Sequence, residues 1–155
     1  MTGTYRDYML PCLLSAIRAT NLLRKKINVK LNIEGKIDEK LKTKVINYIN
    51  NLDLNENVYL NGEYNQESAP KIYQKNDLYY FMVHNAPCPN ALIEAIASGL
   101  PVVYLDSGSS KEIVRQAGIG IKSKLSWNYF SEINANLICK ATIKILNNYN
   151  FYSKE

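Results

Sequence analysis

Leu78-Tyr79-Tyr80-Phe81-Met82-Val83-His84-Asn85-Ala86-Pro87-Cys88-Pro89-Asn90-Ala91-Leu92-Ile93-Glu94-Ala95-Ile96-Ala97-Ser98-Gly99-Leu100-Pro101-Val102-Val103-Tyr104-Leu105 is the stretch that decides the fold. Its first six residues are apolar without alternation, the pattern of a strand buried on both faces in the middle of a parallel sheet. Two prolines then stiffen a tight loop. Leu92 and Ile96, with Ile93 and Ala97, recur at helical spacing, which predicts a helix over 90–98 with its apolar side toward the sheet. Pro101 to Leu105 reads as the next strand. A strand, a helix and a second strand this close together form a right-handed βαβ crossover, and hence a parallel pair.

Working outward, the same alternation continues in both directions. Upstream, Leu10, Leu13, Leu14 and Ile17 predict a helix over Pro11 to Leu23, with Pro11 near its first turn. Val29 to Ile33 alternates with period two and stops at Gly35, as a strand does. A helix with Asp38 as its cap follows, carrying Leu41, Val45, Ile49 and Leu52 on one face. Val58 to Leu60 reads as a strand and Gln66 to Lys75 as a short helix. Downstream come a short helix near Lys111 to Gln116, a strand at Ile119 to Ile121, and a long helix from about Phe130 to Asn147. The expected fold class is α/β, a doubly wound, mostly parallel, Rossmann-like sheet. No repeat and no Pro-, Gly- or Ser-rich linker interrupts the chain, so residues 1–155 read as one domain.

Composition narrows the function. With 155 residues the chain is long enough to bury a core without a disulfide or metal staple. Cys12, Cys88 and Cys139 are odd in number and form no CxxC pair, which suits reduced thiols and no metal site. The longest apolar run is far too short to cross a bilayer, and the N-terminus lacks an export signal. These features predict a cytoplasmic protein. Nineteen Lys and Arg against fourteen acids leave a net charge of +5. That excess suits an anionic ligand or peripheral contact with the inner face of a membrane, and equally a solvated surface. The tyrosines lack the basic interleaving of a nucleic-acid platform, so no nucleic-acid partner is expected.

In a doubly wound fold the ligand sits beyond the carboxyl ends of the strands. The amides of Asn90, Ala91 and Leu92 open the helix after Pro89 and carry its positive dipole end, a ready anion site. Glu94 lies one turn on, on the same face as Asn90, where a carboxylate can accept from two vicinal ribose hydroxyls; a solvated surface role is the other reading. His84 ends the central strand, and it either faces the ligand or packs in the interior. Ser109 and Ser110 follow the next strand, as turn formers or as ligand neighbours. Gly3 to Arg6 form a third loop at this edge, with Arg6 either on a phosphate or in solvent.

Taken together these residues resemble the C-terminal, donor-binding domain of GT-B glycosyltransferases of the group 1 (family 4) class. The resemblance runs from Gly3 through Leu31 to Gly35 and Asn57 to Tyr64. It is most specific over Pro87 to Val103 and continues through Asp106 to Val114. It implies transfer of a sugar from a nucleotide-sugar, UDP- or GDP-linked, to an acceptor, with retention of configuration and with neither cofactor nor metal. Gly62 and Tyr64 would lie near the base. The family's hallmark is two glutamates separated by seven residues. The second matches Glu94, on the ribose, whereas the first position, at the sugar end, is Ala86. The family's acceptor-binding N-terminal domain has no counterpart here, so the expected partners are a nucleotide-sugar and a separate acceptor domain or subunit. The alternative is a non-catalytic nucleotide-binding or scaffold module that has lost the chemistry. A receiver or nicotinamide-binding domain is disfavoured by the lack of a clustered acidic pocket and of GxGxxG.

Overall fold

The computed structural model describes residues 1–124 and 130–153. Strands β1 (Leu31–Glu34), β2 (Val58–Gly62), β3 (Tyr79–Phe81), β4 (Val102–Leu105) and β5 (Gly118–Ile121) alternate with helices. The helices are α1 (Leu10–Leu23), α2 (Glu39–Asn51), α3 (Ala69–Gln74), α4 (Asn90–Ala97), α5 (Ser110–Val114), α6 (Ala135–Asn147) and α7 (Tyr149–Tyr152). The strand pairings among the described residues are parallel, β1 with β2 in one ladder and β3–β4–β5 in another. The N-terminal residues join the two. Thr2 and Tyr5 form parallel bridges to Glu34 and Ile37, while the Thr2 amide donates to the Tyr79 hydroxyl at 3.3 Å.

Successive strand residues point to opposite faces, and both faces are covered. Tyr80, Val103 and Leu105 pack with Leu13, Ile17, Leu41, Val45, Ile138 and Ile145 from α1, α2 and α6. Tyr79, Phe81, Val102 and Tyr104 pack with Tyr73, Leu92, Ala95 and Val114 from α3, α4 and α5. This is the doubly wound arrangement the all-apolar strands require. Each fully buried Leu or Ile in these layers contributes about 2 kcal/mol of transfer free energy.

Element boundaries moved where side chains compete with the backbone. β1 begins at Leu31 rather than Val29, because the Asn57 side-chain amide donates to the Val29 carbonyl at 2.9 Å before the ladder starts. The final helix starts at Ala135 rather than Phe130. The Asn134 side chain accepts from the Asn136 amide at 2.9 Å, and the Ile133 amide donates to Ser15 Oγ at 2.9 Å, which holds the preceding residues out of the helix. Asp38 sits at the cap position of α2 without capping it, since its carboxylate faces Arg6 at 3.5 Å. All three cysteines are free, and no helix among the described residues is long and apolar enough to cross a membrane.

Candidate functional site

Two adjoining cavities open at the carboxyl ends of the strands. One, of about 310 Å³, is lined by Gly3, Thr4, Tyr5, Ala86, Asn90 and Ala91 among others. The second, of about 360 Å³, is lined by Gly3, Thr4, Lys36, Glu63, Tyr64 and Glu94 among others. Gly3 and Thr4 belong to both, so the α4 N-terminus and the Glu94 carboxylate stand at two ends of one depression. Among the described residues the first cavity has no lysine or arginine side chain in its lining, which is polar mainly through amides and hydroxyls. Lys36 and Glu63, 3.6 Å apart, supply a charge of each sign to the second.

The structure brings Gly3, Tyr64, Asn90, Ala91 and Glu94 together as the sequence predicted. Gly62 lies just behind, its carbonyl accepting from the Gly35 amide at 2.6 Å. Four of the expected residues sit elsewhere. The Leu92 amide donates to the Pro89 carbonyl at 3.0 Å and its side chain is fully buried, so α4 offers the Asn90 and Ala91 amides only. A proline at the cap leaves no side chain to accept those two amides, and the first turn tightens on its carbonyl instead. Arg6 is exposed and turned to Asp38. Ser109 faces the loop rather than a cavity, donating through its amide and Oγ to the Ala86 carbonyl at 3.2 and 3.3 Å. It therefore ties the start of α5 to the loop at Ala86.

His84 is buried, with its ring stacked on Phe130 at 4.6 Å between centroids, and Phe130 meets Tyr8 edge-on at 5.2 Å. Burial holds its pKa below the usual histidine value. It lines neither cavity.

Three features of the candidate site escaped sequence reasoning. Glu94 Oε2 accepts from the Tyr73 hydroxyl at 2.9 Å. That tyrosine is in turn linked to Thr2 Oγ1, and through it to Tyr79. Tyr5 lines the first cavity, and its hydroxyl is buried without a partner among the described residues. Burial pushes its phenol well above the ordinary pKa, and the neighbouring Tyr79, Tyr64, Glu34 and Tyr73 add to the rise. A tyrosine inside a strand or helix reads as core, and no periodicity reveals a partner 21 or 77 residues away.

A buried hydroxyl without a partner beside a cavity leaves one donor open to any ligand oxygen that reaches it. Tyr5→Phe is expected to raise the melting temperature by about 2–4 °C, corresponding to about 1 kcal/mol, because the unpaired hydroxyl is removed. It is expected to weaken binding of a nucleoside diphosphate at the same time. Thermal unfolding with and without nucleotide reads both effects, and a fall in the unliganded melting temperature would show that the hydroxyl is already satisfied.

Comparison with known proteins agrees with this geometry. Residues 13–148 match the family model of the glycosyl transferases group 1. An uncharacterised glycosyltransferase of Methanocaldococcus jannaschii is 31% identical over 105 residues, 68% of this chain and 25% of that protein. A crystal structure of a mutant of S. aureus TarM, in complex with fondaparinux, alpha-GlcNAc-glycerol and UDP, superposes with a TM-score of 0.74 at 22% identity. That match covers 98% of this chain and 29% of TarM. The C-terminal domain of a group 1 glycosyl transferase, LpcC from Francisella tularensis, superposes at 0.72 with 14% identity, covering 99% of this chain and 76% of that one. At these identities the structures establish a shared fold, that of a GT-B glycosyltransferase domain. The chain spans about a quarter of the length of its curated relative. With the family model matched from α1 to the end of α6, the chain belongs to the group 1 glycosyl transferases.

Proposed function

We propose that this domain binds the nucleotide-sugar donor of a retaining glycosyltransferase, working in glycan or glycolipid synthesis. The observation that carries the reading is the depression shared by Glu94 and the two free amides of α4. Its dimensions suit a nucleoside diphosphate laid across Gly3 and Thr4. Glu94 accepts from the ribose hydroxyls, and the Asn90 and Ala91 amides hold the diphosphate, where negative charge grows as the glycosidic bond breaks. The base lies toward Tyr64 and Gly62. In this reading no metal is required, because the helix end and hydroxyl donors take up the charge. UDP in the TarM complex favours a uridine nucleotide over a guanosine one.

The acceptor is held by a further domain or a separate subunit, which accords with the quarter-length match to the relative. A second reading, a binding module without catalysis, is favoured by one residue: Ala86, in the lining of the first cavity, stands at the position that matches the family's first glutamate.

Calorimetric titration of the chain with UDP, GDP and ADP, each with and without an attached sugar, tests the proposal. Saturable binding of UDP and a UDP-sugar is the expected result. Failure of all of them to bind would overturn it. Ala86→Glu, joined to an acceptor domain, separates the two readings: transfer that arises only with the restored carboxylate identifies the natural chain as a module that has lost the chemistry.

A further inference from the structure

We infer that Tyr73 is a positioning residue for Glu94, the visible end of a hydrogen-bonded chain that runs from Glu94 through Tyr73 and Thr2 to Tyr79 and sets the carboxylate for a ribose. The inference rests on the reading of Glu94 as the ribose ligand.

The direction of each bond follows from the number of protons available. The Tyr73 hydroxyl has one, and lies 2.9 Å from Glu94 Oε2 and 3.4 Å from the Ala91 carbonyl. It goes to the carboxylate, the shorter and charge-assisted bond. Tyr73 must then be the acceptor from Thr2 Oγ1, 3.1 Å away. With its own proton committed, Thr2 Oγ1 accepts from the Tyr79 hydroxyl at 2.8 Å, and the Tyr79 oxygen accepts from the Thr2 amide at 3.3 Å. This ordering satisfies every member, and it is favoured over donation from Tyr79 to the Thr2 carbonyl, a longer contact at 3.4 Å.

The chain is also rigid. Tyr73 is 2% exposed and Tyr79 is 3% exposed, and their rings meet edge-to-face at 5.8 Å. Burial pushes the Tyr79 phenol up to about 12 and the Tyr73 phenol higher still, so both keep their protons as donors. Glu94 itself is an exposed side chain on one turn of a short helix, with many rotamers open to it. A buried phenol that grips one carboxylate oxygen removes most of that freedom before a nucleotide arrives. The other oxygen, Oε1, is left for the ribose. Because Thr2 adjoins Gly3 and Thr4 in the lining, the same chain ties the carboxylate to the loop that spans both cavities.

The test compares UDP with its 2′,3′-dideoxy analogue, by calorimetry, in the unsubstituted chain and in Tyr73→Phe. The unsubstituted chain is expected to prefer UDP by tenfold or more. Tyr73→Phe removes one oxygen and leaves the ring packed. It should cut that preference about fivefold while leaving affinity for the dideoxy analogue unchanged, a split that a merely structural role would not produce. Thr2→Val, which keeps the tyrosine and takes away the hydroxyl behind it, should lower the preference by a smaller factor. An unsubstituted chain that binds both nucleotides equally, or neither, overturns the ribose reading of Glu94. A chain that prefers UDP, with Tyr73→Phe preferring it just as strongly, overturns the positioning role alone.

Discussion

Glu94→Gln is expected to lower the affinity of the chain for UDP about 30- to 100-fold. The amide has the size of the carboxylate and its oxygen can still accept from Tyr73, now 2.9 Å from Oε2. What it lacks is the negative charge and the second acceptor. The ribose hydroxyls would then face an NH₂ group, and charge-assisted bonds would be replaced by a mismatch; such losses cost about 2–3 kcal/mol. Stability should hardly change, because Glu94 is an exposed residue and surface substitutions usually lie within about 0.5 kcal/mol. Calorimetric titration beside a melting curve separates the two effects. Equal affinity in the two proteins would mean that the ribose is held elsewhere.

Gly35→Ala carries the largest expected effect on stability. Gly35 has φ +121°, which side chains rarely adopt, and a Cβ there would stand 1.8 Å from the Gly3 carbonyl oxygen. The surrounding backbone has little room to yield. The Gly35 amide donates to Gly62, the Gly3 amide to Glu34 and the Tyr5 amide to Lys36, at 2.6, 3.1 and 2.8 Å. Strain and collision together should cost about 4 kcal/mol, or a fall of about 10 °C in melting temperature. Nucleotide binding should be lost with it, since Gly3 and Thr4 line both cavities. Gly62→Ala is the control, with φ +81° and no atom within 4 Å of its added carbon. It should cost about 1–2 kcal/mol from backbone strain alone. Equal losses in the two variants would show that the close approach of Gly3 to Gly35 is not what the glycine is for.

Much of this architecture was legible along the chain. The unbroken apolar run 78–83, the proline-bounded loop and the helical spacing after Asn90 carry strong local signals. A strand buried on both faces must be apolar throughout, and a helix laid on a sheet must be apolar on one side. From these the carboxyl-end location of the candidate site follows, where Asn90, Ala91, Glu94, Gly3 and Tyr64 line the two cavities. The same local logic misled where a side chain had a choice of partner. Asp38 as a cap, Arg6 as a phosphate ligand and His84 as a ligand-facing residue are each reasonable in sequence. In the structure Asp38 and Arg6 face each other across two loops, and His84 is buried in an aromatic stack with Phe130.

What the sequence determined by itself is the order of strands and helices, their parallel winding and the helix end and carboxylate on which the proposed site is built, because these depend on periodicity and on backbone amides that every helix start leaves free. What only the tertiary structure decided is how that carboxylate is held. Thr2, Tyr73, Tyr79 and Glu94 are separated by up to 92 positions yet share one chain of hydrogen bonds. Such bonds form between side chains that the packing of a sheet and two helices brings within 3.1 Å, and no local pattern of residues records that distance.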